Sequence, residues 1–400
     1  MTTPPDLAAL WPLDPAVAFL NHGSYGACPA EVLRHQAALR AELEAEPVRF
    51  LGRELDGRLD AARAALAAFV GADPDELAFV TNATGGVNAV LRSLDFAAGD
   101  ELLTTDHAYG ACKNTLDYVA RRTGARVVIA TIPFPVTSPN EVVATVLAKA
   151  TPKTRLALLD HITSPTALVL PIEKMVQALA ARGIDTLVDG AHGPGMVPLD
   201  LARLGAAYYS GNCHKWLCAP KGSAFLWVRR DRQAAVHPLT ISHGANAVRP
   251  ERTRFRLEFD WTGTSDPTGW LTGPKAIEYV GGLLPGGWPA VMARNRALAL
   301  EARGLLCAVA GTAPACPDEM IGSIASVRLP ESPLKNPTWR QADPLQPRLF
   351  EGWGIEVPIM RWPGPPHRVI RVSAQLYNHR AQYARLADAL AKELAAEPRA

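Results

Sequence analysis

Through its middle the chain alternates short apolar runs with amphipathic stretches. The runs that read as buried strands occupy residues 76–82 (ELAFVTN), 100–106 (DELLTTD), 125–131 (ARVVIAT), 154–162 (TRLALLDHI), 184–191 (IDTLVDGA) and 222–230 (GSAFLWVRR). Between them, residues 85–96, 110–124, 139–150 and 171–183 carry helical spacing. The last two open at proline, whose fixed φ suits the first helical turn, and 110–124 ends at glycine. Alternating strands and helices predict an α/β fold with a mostly parallel sheet covered on both faces. Ligands of such sheets sit beyond the carboxyl ends of the strands.

Past residue 280 the spacing loosens. A long helix is predicted over 288–311, a strand over 324–330, a helix near 343–352, strand-rich segments at 355–362 and 367–375, and a final helix over 379–396. The Pro-rich stretch 330–347 reads as a surface loop. Two domains are expected: residues 1–280, an N-terminal arm plus a large domain, and residues 281–400, a smaller α+β domain. There are no internal repeats.

Composition narrows the class. Of 400 residues, 48% are hydrophobic and 20% charged, the balance of a globular protein. The formal net charge of +2 comes without a basic block, so no nucleic-acid partner is expected. No apolar run is long enough to span a bilayer, and the N-terminus lacks the basic and apolar regions of a signal peptide. A cytoplasmic protein with no membrane partner is the expectation. The six cysteines (28, 112, 213, 218, 307 and 316) form no CxxC pair and no disulfide framework. Cys213, His214 and Cys218 lack a fourth ligand at a zinc-like spacing, so no metal is expected.

Three motifs at predicted strand ends carry chemistry. TNATGG (81–86) follows a strand and opens a helix. Free backbone N–H groups there, with the Thr84 hydroxyl, suit a phosphate, although a plain capped turn has the same pattern. It is not GxGxxG, which disfavours a dinucleotide. LVDGAHGPG (187–195) ends a strand in Asp189, with His192 just beyond. A carboxylate at a buried strand end is costly unless paired; it can hold a proton on a ring nitrogen, cap a helix or bind a metal. GNCHKW (211–216) boxes Lys215 between His214 and Trp216. Most lysines are solvated surface charges, but one that attacks an aldehyde needs a depressed pKa and a fixed position. A phosphate cradle, an acid for a pyridine nitrogen and a constrained lysine, in this order, specify pyridoxal 5′-phosphate (PLP).

The chain resembles the class V aminotransferase family of fold-type I PLP enzymes, in its isopenicillin N epimerase-like subgroup. The resemblance spans nearly the whole chain and rests on residues 19–29, 81–94, 106–112, 160–172, 188–195, 211–216, 260–267 and 370–378. It implies that Lys215 is the Schiff-base lysine and that Asp189 pairs with the pyridinium nitrogen. His192 would lie near the phenolic oxygen of the ring, with His161 or Ser164 assisting. Ala83, Thr84 and His214 would hold the phosphate, joined by Thr264 from a neighbouring subunit, which implies a homodimer. Either His107 or Tyr109 would stack on the ring. Arg371 would bind the α-carboxylate of an amino-acid substrate, and Asn21, His22 and Gly23 would belong to a loop closing over it.

The reaction is less constrained than the cofactor. Epimerisation needs a proton donor on the face opposite Lys215, whereas β-elimination needs only Lys215 and a leaving group. Residues 354–369, where a desulfurase would carry its nucleophilic cysteine, contain none. An epimerase or carbon–sulfur lyase is therefore expected. A class V aminotransferase or desulfurase-like activity is the alternative, and a non-catalytic PLP-fold binding protein is the remaining reading.

Overall fold

A computed structural model describes residues 7–334, 338 and 341–397, so residues 335–337 and 339–340 of the Pro-rich loop lie outside the described residues. Its strands are β1 (Ala18–Phe19), β2 (Leu77–Val80), β3 (Glu101–Thr105), β4 (Arg126–Ala130), β5 (Thr154–Asp160), β6 (Asp185–Gly190), β7 (Tyr208–Asn212), β8 (Ala224–Val228), β9 (Ile324–Leu329), β10 (Ile355–Glu356), β11 (Ile359–Met360) and β12 (Arg368–Ser373). Seven of them form the central sheet in the order β2-β8-β7-β6-β5-β3-β4. β8 runs antiparallel to both neighbours, and the remaining pairs are parallel. All six strands expected here form. β7 was not anticipated as a separate strand, because its sequence YYSGN is polar over its second half, although all five residues are buried.

Successive side chains of a strand face opposite ways, and the core divides accordingly. Leu103, Leu159, Val188 and Tyr209 pack on one face, Leu102, Leu158, Leu187 and Tyr208 on the other. Helices cover both faces, among them Ala83–Ser93, Gly110–Thr123, Pro139–Leu147 and Ile172–Ala180, each close to its expected span. Two earlier helices, Ala30–Ala45 and Leu55–Val70, went unpredicted. The first buries only Val32, Gln36 and Leu39, a stripe too thin to register as periodicity.

A second sheet, β11-β12-β9, is antiparallel and lies with the long helices Gly287–Ala310 and Arg380–Ala396. The N-terminal arm reaches this part of the chain. β1 pairs in parallel with β10, and the Ser373 N–H donates to the Leu20 carbonyl at 2.9 Å.

The reversal at β8 positions the site. β7 and β8 form an antiparallel pair joined by a turn over residues 213–223, which carries Lys215 beyond the carboxyl end of β7. β2, β3, β5 and β6 run the same way as β7, so the segments following them converge there. Two glycines allow the close approaches. A Cβ on Gly86 would stand 2.2 Å from Ser210 Oγ, so glycine lets the helix start at Ala83 lie against β7. Gly26 has φ +71°, and a Cβ there would stand 1.9 Å from the His214 carbonyl oxygen.

Gly26→Ala is expected to lose about 2 kcal/mol or more of stability, since strained φ and a backbone clash add. Gly52→Ala, in the helical turn Arg49–Glu54 with nothing nearer than 3.9 Å, should be neutral or stabilising by up to about 1 kcal/mol. Urea unfolding of both variants checks the contrast, and equal losses would show that the contact of the arm with the lysine turn is soft.

Candidate active site

At the carboxyl edge of the central sheet lies a cavity of about 370 Å³, lined among others by Thr84, Tyr109, Asp189, His192, His214 and Lys215. Lys215 is half-buried, and its Nζ lies 3.1 Å from His192 Nε2. Burial, then the Arg371 charge, lowers its pKa to about 8. Among the described residues it makes no salt bridge. Trp216, fully buried, donates its indole N–H to His192 Nδ1 at 3.1 Å. Burial, then the charge of Lys215, holds His192 well below the usual histidine range.

Asp189 stands at the end of β6. Its Oδ1 accepts the Ala191 N–H at 3.0 Å, and its Oδ2 accepts the Cys112 thiol at 3.1 Å. On the neighbouring strand its register partner is Asp160, buried and also lining the cavity. One Asp160 oxygen, Oδ1, has no hydrogen-bond partner. Burial, then the Asp189 charge, pushes this carboxyl well above its usual range. Two adjacent buried carboxyls resist losing both protons.

His214 gives its Nδ1–H to the Ser223 carbonyl at 3.0 Å, since a carbonyl can only accept. It lines the cavity, and burial lowers its pKa to about 4. Thr84 stands at the N-terminus of the helix Ala83–Ser93, capped by Asn82, whose Oδ1 accepts the Gly85 N–H at 2.8 Å. The Ala83 N–H already donates to Asn212 Oδ1 at 2.8 Å, so within this chain it is not free for a ligand.

Arg371, on β12, is 2% exposed. It donates through Nη1 to the Ser164 carbonyl (2.7 Å) and hydroxyl (3.1 Å), and through Nη2 to Ser24 Oγ (2.9 Å). Its Nε has no partner, and among the described residues no carboxylate pairs with it. Burial lowers its pKa to about 10. Ser24 and Ser164 line the cavity, so the guanidinium lies directly behind that wall. Ser24 in turn donates to Asn21 Oδ1 at 2.5 Å, and Asn21 Nδ2 donates to Glu356 at 3.0 Å.

Other expected site residues stand apart from the cavity wall. His22 is turned behind the lysine, with Nε2 on the Lys215 carbonyl (3.0 Å) and Nδ1 on the Tyr377 hydroxyl (2.9 Å). The Gly23 N–H is bonded to Ser373 Oγ at 2.9 Å. His107 is buried against Thr166, Phe134 and Trp362, whereas Tyr109 lines the cavity and is exposed. His161 bonds Tyr209 at 3.1 Å and faces a different cavity. Thr264 is exposed and does not line the cavity within its own chain. Cys213, His214 and Cys218 do not converge; among the described residues no group of three or more His, Cys, Asp or Glu could hold a metal ion.

Sequence reasoning passed over Asp160, Asn82, Asn212, Ser24 and Tyr25, which also line the cavity. For Asp160 the signal was present: like Asp189, it is an acid ending an apolar strand.

Residues 27–330 match the class V aminotransferase family. The isopenicillin N epimerase of Streptomyces clavuligerus is 37% identical over 94% of this chain and 95% of its own length. A putative L-cysteine desulfhydrase of Oryza sativa subsp. japonica is 33% identical over 96% of this chain and 85% of its own length. Among solved structures, the cystine C–S lyase C-DES in complex with its product cysteine persulfide superposes with a TM-score of 0.77 at 22% identity, covering 94% of this chain and 97% of that one. The chain belongs to the class V aminotransferase family and has its fold.

The raised pKa of Asp160 implies a pH signature. A carboxyl that holds its proton more tightly folded than unfolded leaves the protein most stable at low pH. Stability is lost as pH rises above the unfolded value of about 3.9 toward the folded one. Asp160→Asn removes this loss, so its melting temperature relative to wild type should climb as pH rises from about 4 to 7. A constant difference across that window would show that Asp160 ionises normally.

Proposed function

We propose that this protein is a PLP-dependent enzyme that acts at the Cα and Cβ of an amino acid, as an epimerase or a carbon–sulfur lyase. The observation that carries this reading is a buried arginine without a carboxylate, behind one wall of a cavity that also holds a lysine of depressed pKa and a buried aspartate.

The residues present fit the cofactor. The orphaned Asp160 oxygen marks a polar place lacking its partner, and Thr84 and His214 offer a helix N-terminus and an imidazole to a phosphate. In this reading Asp189 would hold a proton on the ring nitrogen, Lys215 would hold the cofactor's aldehyde end, and Tyr109, which lines the cavity, rather than His107, which does not, would contribute the aromatic contact. Bound there, PLP supplies the electron sink that lets a Cα–H bond break. Lys215 Nζ would take that proton, and a pKa lowered to about 8 raises its free-base fraction near neutral pH far above that of an ordinary lysine. The substrate carboxylate replaces the Ser24 hydroxyl on Arg371, giving the guanidinium the anion it lacks. His22 acts from behind, fixing the lysine turn through the Lys215 carbonyl.

A desulfurase route is less supported, because all six cysteines are buried. The one nearest the acids, Cys112, has its thiol bonded to Asp189 and its pKa pushed well up by burial. Unpaired cysteines suit a reducing, cytoplasmic setting. No helix among the described residues is long and apolar enough to cross a membrane.

Product analysis tests the reaction. Purified enzyme is offered cysteine, cystine, cysteine conjugates and other amino acids in deuterated water. Pyruvate with ammonia and sulfide marks the lyase, and the D-isomer with deuterium at Cα marks the epimerase. Neither product from any of them would overturn the proposal. Arg371→Lys should keep the cofactor colour yet lose roughly ten- to a hundredfold in kcat/KM, the equivalent of about 1.5–3 kcal/mol for one charge-assisted hydrogen bond. An unchanged KM with a lowered melting temperature would make Arg371 purely structural.

We also propose a homodimer in which Thr264 reaches the partner's phosphate site. The exposure of Thr264 supports this, as do the exposed apolar side chains of Leu239, Ile241 and Val248. Mixing Lys215→Ala with Thr264→Ala protomers should restore activity on subunit exchange, since one site of each heterodimer is intact. Merely additive activity would exclude shared sites.

A further inference from the structure

Trp216 is packed where it cannot swing away. It is fully exposed to none of the solvent, sits among Ile162, Ala167, Met196 and Ile324, and lies 4.8 Å from the His22 ring. Its backbone is pinned by Gly195, where a Cβ would come within 2.6 Å of it. The indole nitrogen can only donate a hydrogen bond, and its N–H is directed at His192 Nδ1 at 3.1 Å. That nitrogen must therefore be an acceptor. A neutral imidazole then carries its single proton on Nε2, and Nε2 faces Lys215 Nζ at 3.1 Å. An ammonium there would set donor against donor, while a free amine offers a lone pair to Nε2–H.

We propose that Trp216 is a positioning residue: by fixing the proton of His192 on Nε2, it favours the free amine of Lys215 over the ammonium. The same contact keeps His192 neutral, since an imidazolium would point a second N–H at the indole. The free base is the form in which a lysine can attack an aldehyde carbon or take a proton from Cα.

The other groups around Lys215 do not do this job alone. Arg371 on β12 pushes the lysine toward neutrality, but Asp189 on β6, Asp160 on β5 and Cys112 on the helix Gly110–Thr123 pull the other way. His192 is itself held neutral by burial and by the charges of Lys215, Arg371, His22 and His214, none of which selects the ring nitrogen that carries its proton. Sequence neighbours thus act through a third residue: Trp216 adjoins Lys215 in the chain, yet reaches it through a histidine from the loop after β6.

The proposal deepens the reading of Lys215 given above, and its test does not require that reading to hold. Full-length protein freed of cofactor is acetylated in competition across pH, and labelling of Lys215 is compared by mass spectrometry with that of the exposed Lys153. In Trp216→Phe, which keeps an aromatic ring but no N–H, His192 can adopt the other tautomer and accept from an ammonium. The half-point of Lys215 should then rise by about one pH unit, making its labelling at neutral pH roughly tenfold slower. An unchanged half-point in a folded variant overturns the proposal. If Trp216→Phe does not fold, nitrogen NMR of the wild-type protein carrying isotope-labelled histidine decides directly. The signal assigned to His192 by its loss in His192→Asn must show the proton on Nε2, and a proton on Nδ1 overturns the proposal. Because both measurements read the apoprotein, a failed product assay with a shifted half-point would sink the enzymatic reading and leave this one standing.

Discussion

An amine enclosed by protein keeps its charge most readily where a carboxylate or a shell of acceptors compensates for lost water, and among the described residues Lys215 has neither a salt bridge nor such a shell. It has one near partner, an imidazole nitrogen at 3.1 Å, itself anchored by a buried indole. The surrounding architecture serves that arrangement. The antiparallel turn between β7 and β8 delivers the lysine, the loop after β6 delivers His192, and His22 of the N-terminal arm clamps the lysine carbonyl from behind. Without the reversal of β8 the lysine would have no short turn to stand on, since parallel neighbours require long crossovers.

A second constraint is the imbalance of charge across the cavity. On one side Asp160 and Asp189 stand side by side at adjacent strand ends; on the other Arg371 is buried with only hydroxyl and carbonyl oxygens around it. Each arrangement costs free energy within the protein alone, and the ligands proposed above would offset it, one bringing a proton and the other a carboxylate. Strain of this kind belongs where binding can relieve it. The link Glu356–Asn21–Ser24–Arg371 ties the arm to the carboxylate side, so the segment that covers the cavity also holds its cation.

The relatives of this chain include an epimerase and a putative desulfhydrase, and in the function proposed above both outcomes begin with loss of the Cα proton. In that proposal the residues nearest Lys215 serve this common step. For the acid on the second face that the proposed epimerisation requires, the cavity's phenols are the exposed Tyr109 and Tyr25.

The alternation of apolar runs was enough to predict the sheet, because buried parallel strands need nearly continuous apolar sequence and the helices between them need one apolar face. It was enough, too, to locate Asp189 and Thr84, since each stands where an apolar strand gives way to a polar loop. β7 and the helix Ala30–Ala45 escaped that reading, one through polar residues buried by its neighbours, the other through a thin apolar stripe. Direction was beyond the sequence as well. The resemblance that named His22, His107 and His161 does not tell where each ring points, and all three turn to partners distant in sequence. Local pattern determined which elements form and where they end, because backbone hydrogen bonding and side-chain burial are settled over a few residues. Only the tertiary structure decided which ring faces the lysine, which acid keeps its proton and which arginine lacks a counter-ion, because those depend on atoms brought together from strands and loops far apart in the chain.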